Sequence, residues 1–266
     1  MRLLRATDLT FHEFEGSSIP PYTILSHRWE GEEVTYQELK DRTTATESKS
    51  GFKKILHCCS QALSDGISFV WVDTCCIDKS SSAELSEAIN SMYAWYQRSQ
   101  VCYAYLSDVQ AWDTYRPEDA DGAWVNSIYS KQNNWIGYWY TDGDSSEFIM
   151  RVMKSKWWTR GWTLEELIAP ASVVFYINGC DGWSNIGSKH TLIDLVAART
   201  GIDKNVLRYQ DIRSCSIAQR MSWACERETT RTEDLAYCLL GIFGVNMPLL
   251  YGEGNKAFLR LQVRLL

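Results

Sequence analysis

Long apolar runs are missing from this 266-residue chain. No stretch reaches the roughly 20 residues that a membrane helix needs, and the opening MRLLRATDLTFHEF has no apolar core of signal-peptide type. No membrane partner is expected, and a cytoplasmic setting is. A surplus of positive charge is missing too. With 27 Lys plus Arg against 33 Asp plus Glu, the net charge is −6, which disfavours a broad nucleic-acid footprint. CxxC spacing is absent. The nine cysteines fall as two adjacent pairs, Cys58-Cys59 and Cys75-Cys76, with the rest scattered. This odd set has no framework spacing, so reduced thiols are expected. His57 beside Cys58 and Cys59 is a poor zinc site, because adjacent ligands rarely fit one tetrahedron, and no metal is expected. No repeat or low-complexity block stands out.

What is present is apolar content of 45%, enough to bury a core. Apolar runs ending in polar residues predict buried strands at Tyr22 to Ser26, at Ser68 to Asp73, in VCYAYLSDV, and around VVFYI. Between them, Phe52, Ile55, Leu56, Cys59 and Leu63 recur at helical spacing, and Gly66 stops that run. Ser81 and Glu84 have capping-box spacing ahead of a stripe of Leu85, Ala88, Ile89, Met92, Trp95 and Tyr96. Residues 110–150 have no clean period and read as a long insertion. From 181 to 266 the pattern is helical, with Thr230 and Glu233 at a second capping-box spacing and the GEG at 252–254 as a turn before a helix.

Alternating strands and helices predict an α/β fold with a mostly parallel sheet flanked by helices, and a mainly helical C-terminal extension. Ligands of such sheets bind outside the carboxyl ends of the strands. That edge collects Ser26, His27, Arg28, Trp29 and Glu30, then Asp73, Cys75, Cys76, Asp78 and Lys79, then Ser107 and Asp108. Asp73 can contact a ligand or cap the next turn. Cys75 and Cys76 read more readily as small packed hydrophobes than as nucleophiles. Ser26 and His27 have no identifiable acid beside them, which argues against a hydrolase triad.

The segment SKWWTRGWTLEELIAP, residues 155–170, carries two adjacent glutamates among tryptophans. On a helical wheel, Leu164, Leu167 and Ile168 form the core face. Glu166 falls about 40° from Trp162 on one flank and Glu165 about 60° away on the other. Both carboxylates are thus expected off the core, as solvated charges near a helix start, and geometry alone does not choose between them. In RMSWACERETTRTEDLAYCLLGIFG, the residues Arg220, Trp223, Arg231, Glu233 and Asp234 read as a polar network that holds the extension on the sheet, or else as a border of the site.

PYTILSHRW, FVWVDTCCIDKSSSAELSEAINSMYAWYQRSQVCYAYLSDV, SKWWTRGWTLEELIAP and RMSWACERETTRTEDLAYCLLGIFGVNMPLLYGEGNKAFLRLQ together resemble the fungal heterokaryon incompatibility (HET) domain. The resemblance covers most of the chain, as one HET domain over 1–266 with an α/β core at about 20–180. It is nearest to HET domains at the N-terminus of NACHT–WD-repeat incompatibility proteins. It implies a cell-death effector of self/non-self recognition, a NACHT receptor as partner in the same chain or in trans, and self-association. It also implies a distant likeness to the flavodoxin-like Toll/interleukin-1 receptor (TIR) domains, many of which cleave NAD. In their W-C-x-x-E-L pattern the register Trp162 to Leu167 puts Glu166 on the catalytic glutamate, with Thr163 where the pattern has cysteine, and makes Glu165 dispensable. NAD is then a substrate and no cofactor is needed. Ser26, His27, Arg28, Trp29, Asp73, Cys76, Asp78, Lys79 and Trp162 become candidate substrate contacts, with Trp29 or Trp162 stacking on a ring and Arg28 or Lys79 taking the pyrophosphate. A non-catalytic homotypic signalling module, and an enzyme acting on another nucleotide, are the alternatives.

Overall fold

The computed structural model describes residues 1–111, 143–180 and 182–265. The insertion expected at 110–150 lies outside the described residues across 112–142. One sheet of seven strands runs through the described residues: β1 Arg2–Arg5, β2 Phe11–Glu13, β3 Thr23–His27, β4 Phe69–Trp71, β5 Val101–Gln110, β6 Val173–Gly179 and β7 Gly182–Ser188. Their spatial order is β2-β1-β4-β3-β5-β6-β7. The central pairs β4–β3, β3–β5 and β5–β6 are parallel. The outer pairs β1–β2, β1–β4 and β6–β7 are antiparallel.

The parallel strands explain why their sequences read as unbroken apolar runs. All five residues of β3 are buried, as expected for a strand covered on both faces. From β3 the chain steps first to β4 on one side and then to β5 on the other. The order therefore reverses between β3 and β5, and a crevice opens at the carboxyl ends of such neighbours.

Helices α1 Tyr36–Lys40, α2 Thr44–Ser48 and α3 Ser50–Ser64 connect β3 to β4, and α4 Ser82–Arg98 connects β4 to β5. On α3 the buried residues are Gly51, Phe52, Lys54, Ile55, Cys58, Cys59 and Ala62, whereas Leu56 and Leu63 are exposed. The expected stripe is thus rotated. Residues 55, 58, 59 and 62 form the packed row, and Leu56 and Leu63, seven apart, share an outward flank. At the head of α4, Ser81 accepts from the Glu84 N–H at 3.3 Å. The return half of the expected capping box is absent. The Glu84 carboxylate instead accepts from the Asp78 N–H at 2.8 Å and from Arg2 at 2.7 Å, which ties β1 to this loop.

After β5 come α5 Gly143–Lys154, a 3₁₀ turn at Lys156–Thr159, and α6 Thr163–Ile168. Beyond β6 the expected helical stretch begins with a strand, the edge strand β7. Short helices then follow at Ile193–Thr200, Lys204–Tyr209, Ile217–Ser222, Asp234–Tyr237, Leu240–Phe243 and Lys256–Leu265. Two close approaches seat this extension. A Cβ on Gly241 would fall 2.1 Å from the Tyr93 Cβ on α4, and one on Gly161 would fall 2.5 Å from the Thr229 side chain. Gly161 N donates to the Glu228 carbonyl at 2.8 Å, and Glu228 N donates to the Thr159 carbonyl at 2.6 Å. The second expected capping box does not form. Glu233 gives its helix no side-chain cap; its carboxylate accepts from the N–H groups of Gly252 at 2.7 Å and Gly254 at 3.0 Å and fixes the GEG turn.

Candidate functional site at the carboxyl edge of the sheet

Successive strand residues point to opposite faces, and the last two residues of β3 face two different environments. Ser26 looks toward α6. Its hydroxyl donates to Glu166 Oε2 and accepts from the Trp157 indole N–H at 2.9 Å. Both partners lie in the stretch 155–170. Trp157 is held there by the 3₁₀ turn, whose cap Ser155 accepts from the Trp157 N–H at 3.3 Å.

Glu165 and Glu166 are 1% and 6% exposed. This corrects the expectation that both carboxylates avoid the interior and that Glu165 is solvated. Leu164, Leu167 and Ile168 do form the core face, at 0%, 0% and 1% exposure. The flanks of α6 are nevertheless covered, because the extension closes over this six-residue helix. Arg227, itself buried, donates to Thr163 Oγ1 at 2.8 Å and to the Arg160 carbonyl at 2.8 Å.

Burial raises the Glu166 pKa to about 8, against the opposing pull of the Ser26 hydrogen bond, Arg160 and Arg227. Glu165 is also pushed well up, by burial first and by Glu166 second, and its Oε1 has no hydrogen-bond partner. Arg227 is pulled down to about 10 by burial. A buried carboxyl that changes charge near neutral pH is a marker of functional sites.

His27 looks the other way, toward α3. It is buried, with Nδ1 3.8 Å from Asp73 Oδ1 and Nε2 3.6 Å from Glu33 Oε2. Neither nitrogen has a hydrogen-bond partner. Burial, helped by Lys54, lowers its pKa, which favours the neutral ring. Glu33 pairs with Lys54 at 2.5 Å. Burial opposes the ionised form of Glu33, but His27 and Lys54 outweigh it and hold the carboxylate at about 2.

Trp29 lies on the lip of the edge at 40% exposure. Its indole N–H donates to Asp73 Oδ2 at 2.7 Å, Lys79 Nζ lies 3.6 Å from its ring centroid, and Arg160 Cζ lies 5.4 Å away. The edge thus brings together Ser26, His27, Trp29, Asp73, Lys79 and Glu166. Four other expected contacts sit elsewhere. Arg28 is exposed and pairs with no carboxylate among the described residues. Cys76 is buried, its sulfur 3.4 Å from the Val72 N–H, so it packs a turn. Asp78 accepts from Ser80 N–H at 3.0 Å and from Gln37 at 3.1 Å, so it caps its own loop. Trp162 packs half-buried against the core. Sequence reading missed Trp157, Arg160 and Arg227. The first two lie inside the tryptophan-rich stretch, which was a usable signal; Arg227 lies 64 residues beyond Thr163, and no local pattern points to it.

A separate groove of about 290 Å³ lies on the α3 face, lined by residues that include Lys53, Lys54, His57, Tyr105 and Trp183. The sheet separates it from Glu166. Among the described residues, no cluster of His, Cys, Asp and Glu is placed to hold a metal ion, no helix is long and apolar enough to cross a membrane, and all nine cysteines are free thiols.

Compared with known proteins, residues 22–166 match the family described as Heterokaryon incompatibility protein (HET). The matched span opens just before β3 and closes on Glu166. Over 272 aligned residues the chain is 43% identical to Vegetative incompatibility protein HET-E-1 of Podospora anserina, a match that covers 100% of this chain and 18% of that protein. The chain thus spans less than a fifth of the length of that curated relative. No solved structure matches.

Proposed function

This chain belongs to the heterokaryon incompatibility family, and from that premise we propose that it is a cell-death effector unit acting by Glu166-dependent cleavage of NAD. The observation that carries the reading is the setting of Glu166: a buried carboxyl hydrogen-bonded to Ser26 at the strand-order reversal, with cations in reach.

Rupture of the nicotinamide–ribose bond passes through a state with positive charge on the sugar ring, as glycoside cleavage does. Nicotinamide in NAD is already cationic and leaves neutral, taking the bond's electron pair, so no general acid is required. Water adds to the ribose carbon and one proton is released. A single ionised carboxylate in a dry pocket can stabilise the developing charge. Glu166 must therefore lose its proton before the bond breaks, and Arg160 and Arg227 both favour that loss. The cationic nicotinamide of a bound substrate adds to the same pull. Activity then depends on self-association and on a NACHT-type partner that clusters the domain, in the cytoplasm.

The same burial favours a second reading, a non-catalytic module in which the Glu166–Ser26–Trp157 chain only fastens α6 to the sheet. Nicotinamide release by concentrated or crowded protein separates the two. The enzymatic reading expects release by the wild type and none by Glu166→Gln. The modular reading expects neither to release nicotinamide and both to kill cells. Consumption of a different nucleotide, with no nicotinamide formed, would point to another substrate.

A further inference from the structure

Two cations without carboxylate partners meet on one indole ring. Lys79 and Arg160 both lie against Trp29, at 3.6 Å and 5.4 Å from the ring centroid. Among the described residues neither forms an ion pair. The nearby Asp73 carboxylate accepts from the Trp29 N–H through one oxygen and faces His27 through the other. The Arg160 Nε atom is buried and has no acceptor, and an unsatisfied buried donor calls for an explanation.

Three separate segments supply this cluster. Trp29 follows β3, Lys79 follows β4, and Arg160 precedes α6, so the cluster sits on the edge where Glu166 lies. Like charges held together repel; burial lowers the Lys79 pKa against the opposing pull of Asp73, and Arg160 adds a smaller push in the same direction as burial. Glu166 favours its neutral form at pH 7, so it does not pair with them, and the attraction of Asp73 does not bring Lys79 to ion-pair distance. Cation–π contact with Trp29 fixes both side chains in advance, which reduces the ordering cost of binding an anion between them.

We propose that Lys79 and Arg160 form an anion pocket beside Glu166 that takes the diphosphate group of a nucleotide substrate, with Trp29 as the platform that orients both cations. The word nucleotide rests on the NAD reading above; the diphosphate pocket stands on the cation cluster alone. Arg160 supplies planar, directional donors and Lys79 a point charge.

Calorimetric titration of the chain with inorganic pyrophosphate, at fixed ionic strength, tests the pocket. Wild-type protein should bind it. Arg160→Gln and Lys79→Gln should each weaken binding about ten-fold or more, the loss expected for a charge-assisted hydrogen bond. Arg160→Lys, which keeps the charge, should weaken it less and guards against a folding defect, as does a thermal melt of each variant. Lys53→Gln, on the α3 face, should change the affinity by less than about two-fold. No binding by the wild type, or equal weakening by Lys53→Gln, overturns the pocket. The two readings fail separately. Pyrophosphate binding with this pattern but no nicotinamide release leaves the pocket standing without NAD cleavage; nicotinamide release without pyrophosphate binding removes the pocket alone.

Discussion

The two faces of the sheet handle a partly or fully desolvated glutamate in opposite ways. On the α6 face, Glu166 meets a hydroxyl that is itself hydrogen-bonded to an indole, and burial lifts its pKa to about 8. On the α3 face, Glu33 meets an ammonium at 2.5 Å, and its pKa sits at about 2. One residue of β3 separates the two environments. The difference is one of partners: neutral donors leave a desolvated carboxyl free to hold its proton, whereas a paired cation fixes it as an anion. Glu33 therefore stays charged over the physiological range, and Glu166 does not. Only the second can change charge near neutral pH.

The largest expected effect comes from collapsing that contrast on the α6 side. Glu166→Gln keeps an acceptor for Ser26 but cannot ionise, and nicotinamide release should fall by about 100-fold or more. Assays of product formed per hour on matched, folded protein check this.

Next is the opposite face. Lys54→Met leaves the largely covered Glu33 without its cation, and the loss of such a partner costs up to about 3 kcal/mol. Denaturant unfolding at pH 7 should show it.

The pH dependence of stability sharpens the comparison further. Glu166 has a folded pKa above its unfolded value, so its contribution is fully present below the ordinary carboxylate pKa and is lost as pH rises toward about 8. The loss is on the order of 4 kcal/mol across that window. Glu33 works in the other sense, because its depressed pKa contributes stability above the ordinary value that is lost only as pH falls toward about 2. Unfolding curves of the wild type and Glu166→Gln between pH 5 and pH 9 should converge at the acid end, with the variant gaining relative stability at the alkaline end.

Ser26→Ala should act more gently. It removes the donor that favours the ionised form of Glu166 and strands the Trp157 N–H, at a cost of about 1–3 kcal/mol. It should also move the pH profile of nicotinamide release upward. The smallest effect on nicotinamide release falls to Glu165→Gln, which should leave it unchanged. It removes a buried carboxyl whose pKa is raised, so melting should be unchanged at pH 5 and higher than wild type at pH 8.

Much of the fold was legible in the sequence because strands covered on both faces carry continuous apolar runs. That is why β3, β4, β5 and β6 could be read, and why the carboxyl edge could be expected to hold a site. Strand β7 could not, since GWSNIGS at residues 182–188 is an edge strand rich in glycine and polar residues. The packed row of α3 was read one flank off, because Leu56 and Leu63 share a period with the true row, and apolarity alone does not show which row meets the sheet. The burial of Glu165 and Glu166 was missed for a different reason. A helical wheel supposes one partner, and α6 has several, including a segment brought back from residues 223–238. Trp29, Asp73 and Lys79 were legible from their place after two strands, and Arg160 lies in the tryptophan-rich stretch, whereas Arg227 depends on a tertiary contact that no spacing encodes.

The most direct test is the rate of nicotinamide release followed from pH 6 to pH 9 on clustered protein. The rate should climb with pH and level off above about pH 8, as Glu166 gives up its proton, and Glu166→Gln should show no such rise. Wild-type release by Glu166→Gln, or a wild-type rate that is flat across that range, would contradict the account.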